Sequence, residues 1–439
     1  MEISQHIPHP IEAWGEENLQ NIPVKQIHVV GGGTIEPVRN HLALTAPAYG
    51  NTARRIAELS AEYMPSMDVN LHLTRLAGGD KELTSSEDLR LLAARIVGDF
   101  ATKVVFWSPA VTDFLGQVGS VESGDHAERL SSADPTTIDL TPNEKILPMF
   151  RKDMLDGYKP RKDIFAVGFK TTVNAPPDMQ YAIGLKSLKQ NSLNLVLAND
   201  TVTRKNMIIA PEETFYSETD DREQVLQDLV EMTALRSQLT FTESTVIDGE
   251  PIPWESSMVY SALRSVVNHC IERGAYKPFL GVTAGHFASK LDNHTFLTSR
   301  RKTDFNDLDK LGLVKVTTDG NDRVLAYGSK PSVGGQSQRI VFDQHPEEDC
   351  IVHFHSPIKP GSEVPAVSQR EYECGSHQCG ENTAKGLGTF ADGEIKAVYL
   401  DNHGPNIVFN HKTDPQKVIN FIEQNFDLAA KTGGYIPKG

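Results

Sequence analysis

From Ile27 to Gln238, short apolar runs alternate with amphipathic helical stretches. This alternation constrains the chain more than any other feature. Ile27–Val30 reads as a strand that ends in Gly31-Gly32-Gly33. Thr52–Tyr63 places Ala53, Ile56, Ala57 and Leu59 on one helical face. Val69–Leu73 alternates like a strand, and Ser85-Ser86-Glu87-Asp88 opens a helical stretch running to Phe100. Lys103–Trp107 is a buried-type strand. Thr141-Pro142-Asn143-Glu144 has the hydroxyl, proline and acid of a helix start. Ile164–Val167 and Leu193–Ala198 are further strands, with a helix near Met179–Lys189 between them. Asp221–Gln238 closes the series as a helix. Strands alternating with helices predict an α/β fold: a parallel sheet covered on both faces.

The pattern stops at Thr240–Glu255, which is polar and holds Pro251 and Pro253. A domain boundary is expected there, dividing the chain into 1–240 and 255–439. The second part opens with a helix near Ser256–Arg273. It continues in short strands and turns to about Phe409 and ends in a helix from Pro415 to about Ala430. No internal repeat relates the halves. Gly119–Thr137 is a long polar loop, either over a site or simply solvated.

At 439 residues the chain has room for two or three domains. Hydrophobic residues at 39% against 23% charged exclude a disordered chain. A net charge of −15 argues against nucleic-acid partners and anionic membrane surfaces. The four cysteines, Cys270, Cys350, Cys374 and Cys379, are too few for a disulfide-stapled scaffold and fit a reducing cytoplasm. The start, Met-Glu-Ile-Ser-Gln-His, lacks a signal-peptide pattern, and no apolar run reaches the roughly 20 residues of a membrane span. An acidic cytoplasmic enzyme is expected.

Two groups of residues carry chemistry. In the first, glycines after a strand let a phosphate approach the backbone, although Gly31-Gly32-Gly33-Thr34 alone is equally a tight turn. An ordered series follows: Gly32-Gly33-Thr34-Ile35-Glu36-Pro37-Val38-Arg39, Ser108-Pro109-Ala110-Val111-Thr112-Asp113-Phe114, Thr141–Leu147, Val167-Gly168-Phe169-Lys170-Thr171 and Leu195-Val196-Leu197-Ala198-Asn199-Asp200. Over roughly residues 25–235 this resembles the phosphopantothenoylcysteine synthetase family. The resemblance implies a Rossmann-like, usually dimeric fold. It also implies activation of a carboxylate with CTP or ATP before amide formation with cysteine. Gly32, Gly33, Thr34, Gly168, Phe169, Ala198, Asn199 and Asp200 would line the nucleotide pocket, with Asp113 at its mouth. Aligned from Arg39, the family's asparagine falls on Ala43 and its glycine on Pro47, and the mobile-loop lysine falls near Arg129. A nucleotide pocket is therefore expected, and the ligase reaction is left open.

In the second group, His353-Phe354-His355 lies on an expected strand, Cys350–His355, whose alternation sets both imidazoles on one face. His403 follows another strand, Ala397–Leu400, in Asn402-His403-Gly404. Three imidazoles with an open position suit a catalytic metal; the alternative is structural histidines. With Pro331-Ser332-Val333 upstream, the pattern over roughly residues 256–435 looks like the class II aldolase/adducin family. That resemblance implies an α/β/α layered domain around a mainly antiparallel sheet, often tetrameric. It also implies Zn2+ or another divalent ion on His353, His355 and His403, and a small phosphorylated sugar as substrate. Gly285, Ser299, Arg300, Arg301 and Ser332 would meet the substrate phosphate, although Ser299-Arg300-Arg301-Lys302 also reads as a solvated turn. The family's aldolase acid falls on Gly334; the related dehydratases draw an acid from a segment downstream of the histidine pair, which here makes Glu373, His377, Cys379 and Glu381 the acid/base candidates. The chain is thus expected to be a two-domain, homo-oligomeric enzyme. The competing class is a binding or scaffold protein that keeps both folds without their chemistry.

Overall fold

The computed structural model describes residues 25–133, 135–155, 157–318 and 323–432. These form two compact units. One takes residues up to Asn174, Lys186–Ile208 and Ser217–Ser237; the other takes Ala175–Leu185, Ile209–Tyr216 and the chain from Gln238.

The first unit is built on parallel strands. Gln26–Gly31 pairs with Asp68–Leu73 on one side and with Thr102–Trp107 on the other. Thr102–Trp107 pairs with Phe165–Thr172, which pairs with Leu195–Asp200. Numbered along the chain, this order is 2-1-3-4-5, a doubly wound sheet. Its inner strands are largely buried because helices cover both faces, and Asp68–Leu73 at the edge is exposed or half-buried. Helix Asn51–Tyr63 buries Ala53, Ile56 and Leu59 and packs on the first two strands. Helix Ser86–Gly98 packs Leu89, Leu92, Ala93 and Ile96 against Val30, Val105 and Trp107. Its start is the expected capping box: Ser85 accepts from the Asp88 N–H, and Asp88 accepts from the Ser85 N–H.

One expected element is absent. Thr141 and Pro142 belong to the strand Asp139–Pro142, paired with Phe114–Gln117 in a two-stranded ribbon. The Asn143 amide donates to the Thr112 carbonyl at 3.1 Å instead of capping a helix. Cross-strand pairing has outweighed local capping propensity, and a 3-10 turn, Leu147–Phe150, is the helical structure that follows.

His28, buried at 7% exposure, stacks on His72 at 5.3 Å. Burial, then the neighbouring His72, pushes its pKa down to about 4. The unfolded chain binds this proton near pH 6.5, so stability is lost as pH falls from 6.5 towards 4. The expected loss through this group is about 3 kcal/mol, at about 1.4 kcal/mol per pH unit. It would be read as a falling thermal midpoint that His28→Gln flattens; an equal slope in the variant would remove His28 as the cause.

The second unit holds a ten-stranded sheet. Its middle strands, from Arg323–Tyr327 through Val314–Thr318, Thr295–Thr298, His286–Lys290, Cys350–His353 and Gly404–Phe409 to Ile395–Leu400, are all antiparallel to their neighbours. Parallel pairs occur at the edges, where Glu243–Ile247 joins Arg323–Tyr327 and Ala366–Val367 joins Ile395–Leu400. The polar stretch read as a connector therefore supplies an edge strand. On one face, helices Ser261–Glu272 and Pro415–Asn425 bury Leu263, Val266, Val418 and Ile422 against Phe287, Val352 and Ile407. On the other, helices Val333–Gln344 and His377–Leu387 bury Ile340, Val341, Ala384 and Leu387 against Ala288, Ile351 and Val408. This is the α/β/α layering expected of the second domain. Among the described residues no helix is long and apolar enough to cross a membrane.

Candidate functional site

The central strand of the second sheet, Cys350–His353, sets His353 opposite His286 on one neighbour and Asn406 on the other. The strand ends at His353, so His355 lies just beyond it. His403 directly precedes the strand Gly404–Phe409. Gly404 has φ +154°, and a Cβ there would lie 2.1 Å from the Phe354 carbonyl oxygen. Only glycine lets the two backbones approach so closely, and that approach carries His403 against the other two. The ring centroids of His353 lie 5.1 Å from His355 and 4.6 Å from His403, and those two are 4.7 Å apart. One nitrogen from each ring lies within 4.8 Å of the others. All three residues are buried.

His353 Nδ1 donates to the Pro405 carbonyl at 2.7 Å, which leaves Nε2 with a lone pair. That Nε2 is 3.2 Å from His403 Nε2. Burial pushes the His353 pKa down to about 4, so the ring is neutral at pH 7. Neutral imidazoles with converging nitrogens are the donor set of a divalent ion such as zinc. The residues present fit the metal that the sequence pattern implies.

Residues 269–359 match the Class II Aldolase and Adducin N-terminal domain family. No curated protein matches the chain. Among solved structures, this chain is similar to an L-fuculose 1-phosphate aldolase, at 19% identity, 38% of this chain, 82% of that one and a TM-score of 0.29. It is also similar to the DNA/pantothenate metabolism flavoprotein from Streptococcus pneumoniae, at 22% identity, 47% of this chain, 97% of that one and a TM-score of 0.39. A third is the C-terminal domain of the coenzyme A biosynthesis bifunctional protein CoaBC, at 16% identity, 48% of this chain, 94% of that one and a TM-score of 0.34.

In the second unit, His353 and His403 line a small cavity together with His286, Gln338, Asn406, Cys374 and Cys379. Among the described residues that line it there is no carboxylate. Glu373 is buried but does not line this cavity. His377 and Glu381 pair with each other at 3.3 Å, one helical turn apart, and Glu381 is exposed. The structure brings this segment to the cavity through its two cysteines rather than its acids.

The expected phosphate residues divide in the same way. Ser299 and Ser332 are buried side by side, with hydroxyl oxygens 3.3 Å apart and the Ser332 N–H donating to the Ser299 carbonyl. Gly285, at φ +111°, lies against the His353 carbonyl. The Arg300 guanidinium instead donates to the Leu311 carbonyl at 2.9 Å, and Arg301 is exposed. His286, which follows Gly285 in the expected phosphate turn, is set opposite His353 by the strand register, a pairing the sequence alone did not show.

The first unit gathers its candidate residues at the carboxyl ends of its strands. The Ala110 N–H donates to the Gly32 carbonyl at 2.9 Å, closing the first and third strands at the switch point where doubly wound sheets bind ligands. Gly32, Gly33 and Thr34 are themselves buried there. A Cβ on Gly32 would meet Thr74 Oγ1 at 2.1 Å, and one on Gly33 would meet the Ala46 carbonyl at 2.0 Å. Close packing accounts for both glycines, and Pro47 follows Ala46 directly in the segment that covers them. Gly168 packs against Leu147 and Leu193. Ala198 is buried, and Phe169 and Asn199 are half-buried. Asp200 is engaged structurally. Its carboxylate accepts from the N–H groups of Asn174, Val202 and Thr203 and from the Thr172 hydroxyl. Asp113 is exposed and pairs with Lys145 at 2.5 Å. Lys145 is a cation that the sequence reading did not assign to this mouth.

Proposed function

We propose that the class II aldolase/adducin unit is a zinc site, held by His353, His355 and His403, that acts on a small phosphorylated sugar or related carbonyl compound as an aldolase, epimerase or dehydratase. The observation that carries this reading is the buried convergence of three imidazoles within 4.8 Å. A bound divalent ion would supply Lewis-acid polarisation of a substrate oxygen. His353 is held in one tautomer by Pro405, which aims its lone pair without reorganisation. Ser299 and Ser332 offer paired hydroxyls for a phosphate. Proton transfer falls to the segment Glu373–Glu381, which reaches the cavity wall through Cys374 and Cys379. Elemental analysis and zinc titration of the purified protein test the core of this reading. A protein that is metal-free as purified and unmoved in thermal midpoint by zinc would end it.

The first unit is proposed to bind CTP or ATP at its switch point, near Gly32, Thr34 and Asp113. Thermal shift with each nucleotide is expected to raise the midpoint, since a ligand that binds only the folded state stabilises it. A midpoint unmoved by both at millimolar concentration would exclude the site. The second reading, a binding protein without turnover, is favoured by the absence of a carboxylate among the cavity-lining residues. Zinc binding without conversion of any sugar phosphate would select it.

A further inference from the structure

Among the described residues that line the small cavity of the second unit, every one is buried except Cys374, which is half-buried. The lining meets solvent at that thiol. A second thiol, Cys379, lines the same cavity at 4% exposure. It follows five positions later, and the chain between the two is folded back on itself. The Ser376 N–H donates to the Glu373 carbonyl at 3.1 Å, with Gly375 inside that turn at φ +85°, a conformation that favours glycine. Ser376 then caps the helix His377–Leu387, its hydroxyl accepting from the Cys379 N–H at 3.1 Å. One fully buried side chain clamps both ends of the loop. Gln369 Nε2 donates to the Tyr372 carbonyl at 2.6 Å, just before Cys374. The same nitrogen lies 3.6 Å from Cys379 Sγ, which is 3.9 Å from Gln369 Oε1. Turn, cap and clamp hold two reduced thiols on one cavity wall. The other two cysteines, Cys270 and Cys350, are fully buried and do not line it.

We propose that Cys374 and Cys379 are a peroxide-responsive thiol pair whose disulfide closes the solvent side of the histidine cavity. A peroxide oxygen is transferred to the Cys374 sulfur, giving a sulfenic acid and one water. The Cys379 sulfur then displaces the sulfenic hydroxyl, which leaves as a second water with the Cys379 proton, and the S–S bond forms. Peroxide is reduced, both thiols are oxidised, and a thiol reductant reverses the change. His353 and His403 are buried on this cavity, so a bond across the loop at its solvent side restrains the segment through which they are reached. The disulfide itself needs no metal; its effect on metal entry rests on the zinc site proposed above.

The test uses the full chain, reduced and stripped of metal, then exposed to a small excess of hydrogen peroxide. Intact mass is expected to fall by two hydrogens, with peptide mapping placing the bond between Cys374 and Cys379 and a thiol reductant restoring the mass. Cys374→Ser and Cys379→Ser should each lose the bond. Oxygen added to Cys374 with no bond, a bond to Cys270 or Cys350, or a bond between two chains would each overturn the pair. Zinc uptake, followed with a chelating dye, is expected to slow several-fold in the oxidised chain, to recover on reduction and to be insensitive to peroxide in Cys374→Ser. Uptake equally fast in both redox states would overturn the closing role. A wild type that binds no zinc in either state would sink the zinc site instead. The mapped bond would still decide the thiol pair, and slower amide exchange across Glu373–Cys379 in the oxidised chain would decide the closing. If a serine variant does not fold, the wild-type peptide map carries the same decision.

Discussion

His403→Ala is expected to lower zinc affinity by roughly 100-fold or more and to leave the protein folded. The magnitude follows from the ligand count. Substitution of outer-shell partners alone costs about 10–100-fold in metal affinity, and this change removes a ligand itself. The folded state should survive because His403 sits at a strand entry, outside the apolar layers that hold the sheet. Gly404 keeps the close approach to Phe354 in the variant, so the other two histidines stay in place. His377→Ala is the matched control. His377 pairs with Glu381 on a helix surface and does not line the cavity, so zinc binding should be unchanged. Equal zinc affinity in His403→Ala and wild type would exclude the three-histidine centre.

What could be read from the sequence follows the range of the interactions involved. The parallel sheet of the first unit was legible because burial on both faces writes continuous apolar runs, as in Thr102–Trp107. Ser85 and Asp88 were legible as a cap because both partners lie within four residues. Thr141–Glu144 misled because its partner strand, Phe114–Gln117, lies more than twenty residues upstream. Glu243–Ile247 is an edge strand exposed or half-buried at every position, so no alternation marked it. The three histidines were legible as a motif, but their convergence depends on Gly404 against Phe354, a contact between two strands. Spent groups were the least visible. Nothing in Arg300 or Asp200 as residue types tells that a carbonyl or a ring of N–H groups already occupies them.

Lys431→Ala is expected to cost about 3 kcal/mol of stability, the lower end for breaking a buried pair, and to weaken zinc binding from a distance. Lys431 Nζ lies 2.5 Å from Glu213 Oε2, and the two side chains are 3% and 1% exposed. Exposed pairs contribute little, but this carboxylate cannot recover water when its ammonium is removed. Glu213 is also held in place by its backbone. It sits at φ +59°, and its carbonyl accepts from the buried Tyr181 hydroxyl at 2.5 Å. The strained residue is therefore a poor candidate for relaxing away. A Lys431→Met/Glu213→Gln double variant should regain most of the loss, because it removes both charges from the low-dielectric site together. The link to the proposed metal centre is one residue further on, where the Thr432 N–H donates to the His355 carbonyl at 3.1 Å. A tail loosened at Lys431 releases that bond and with it one restraint on a proposed ligand. Zinc affinity is expected to drop several-fold in Lys431→Ala and to return in the double variant, in step with the denaturation midpoint. A stability loss below about 1 kcal/mol, the range of exposed pairs, would show that the pair is not closed to water. A full loss with zinc affinity unchanged would show that Thr432 does not restrain His355.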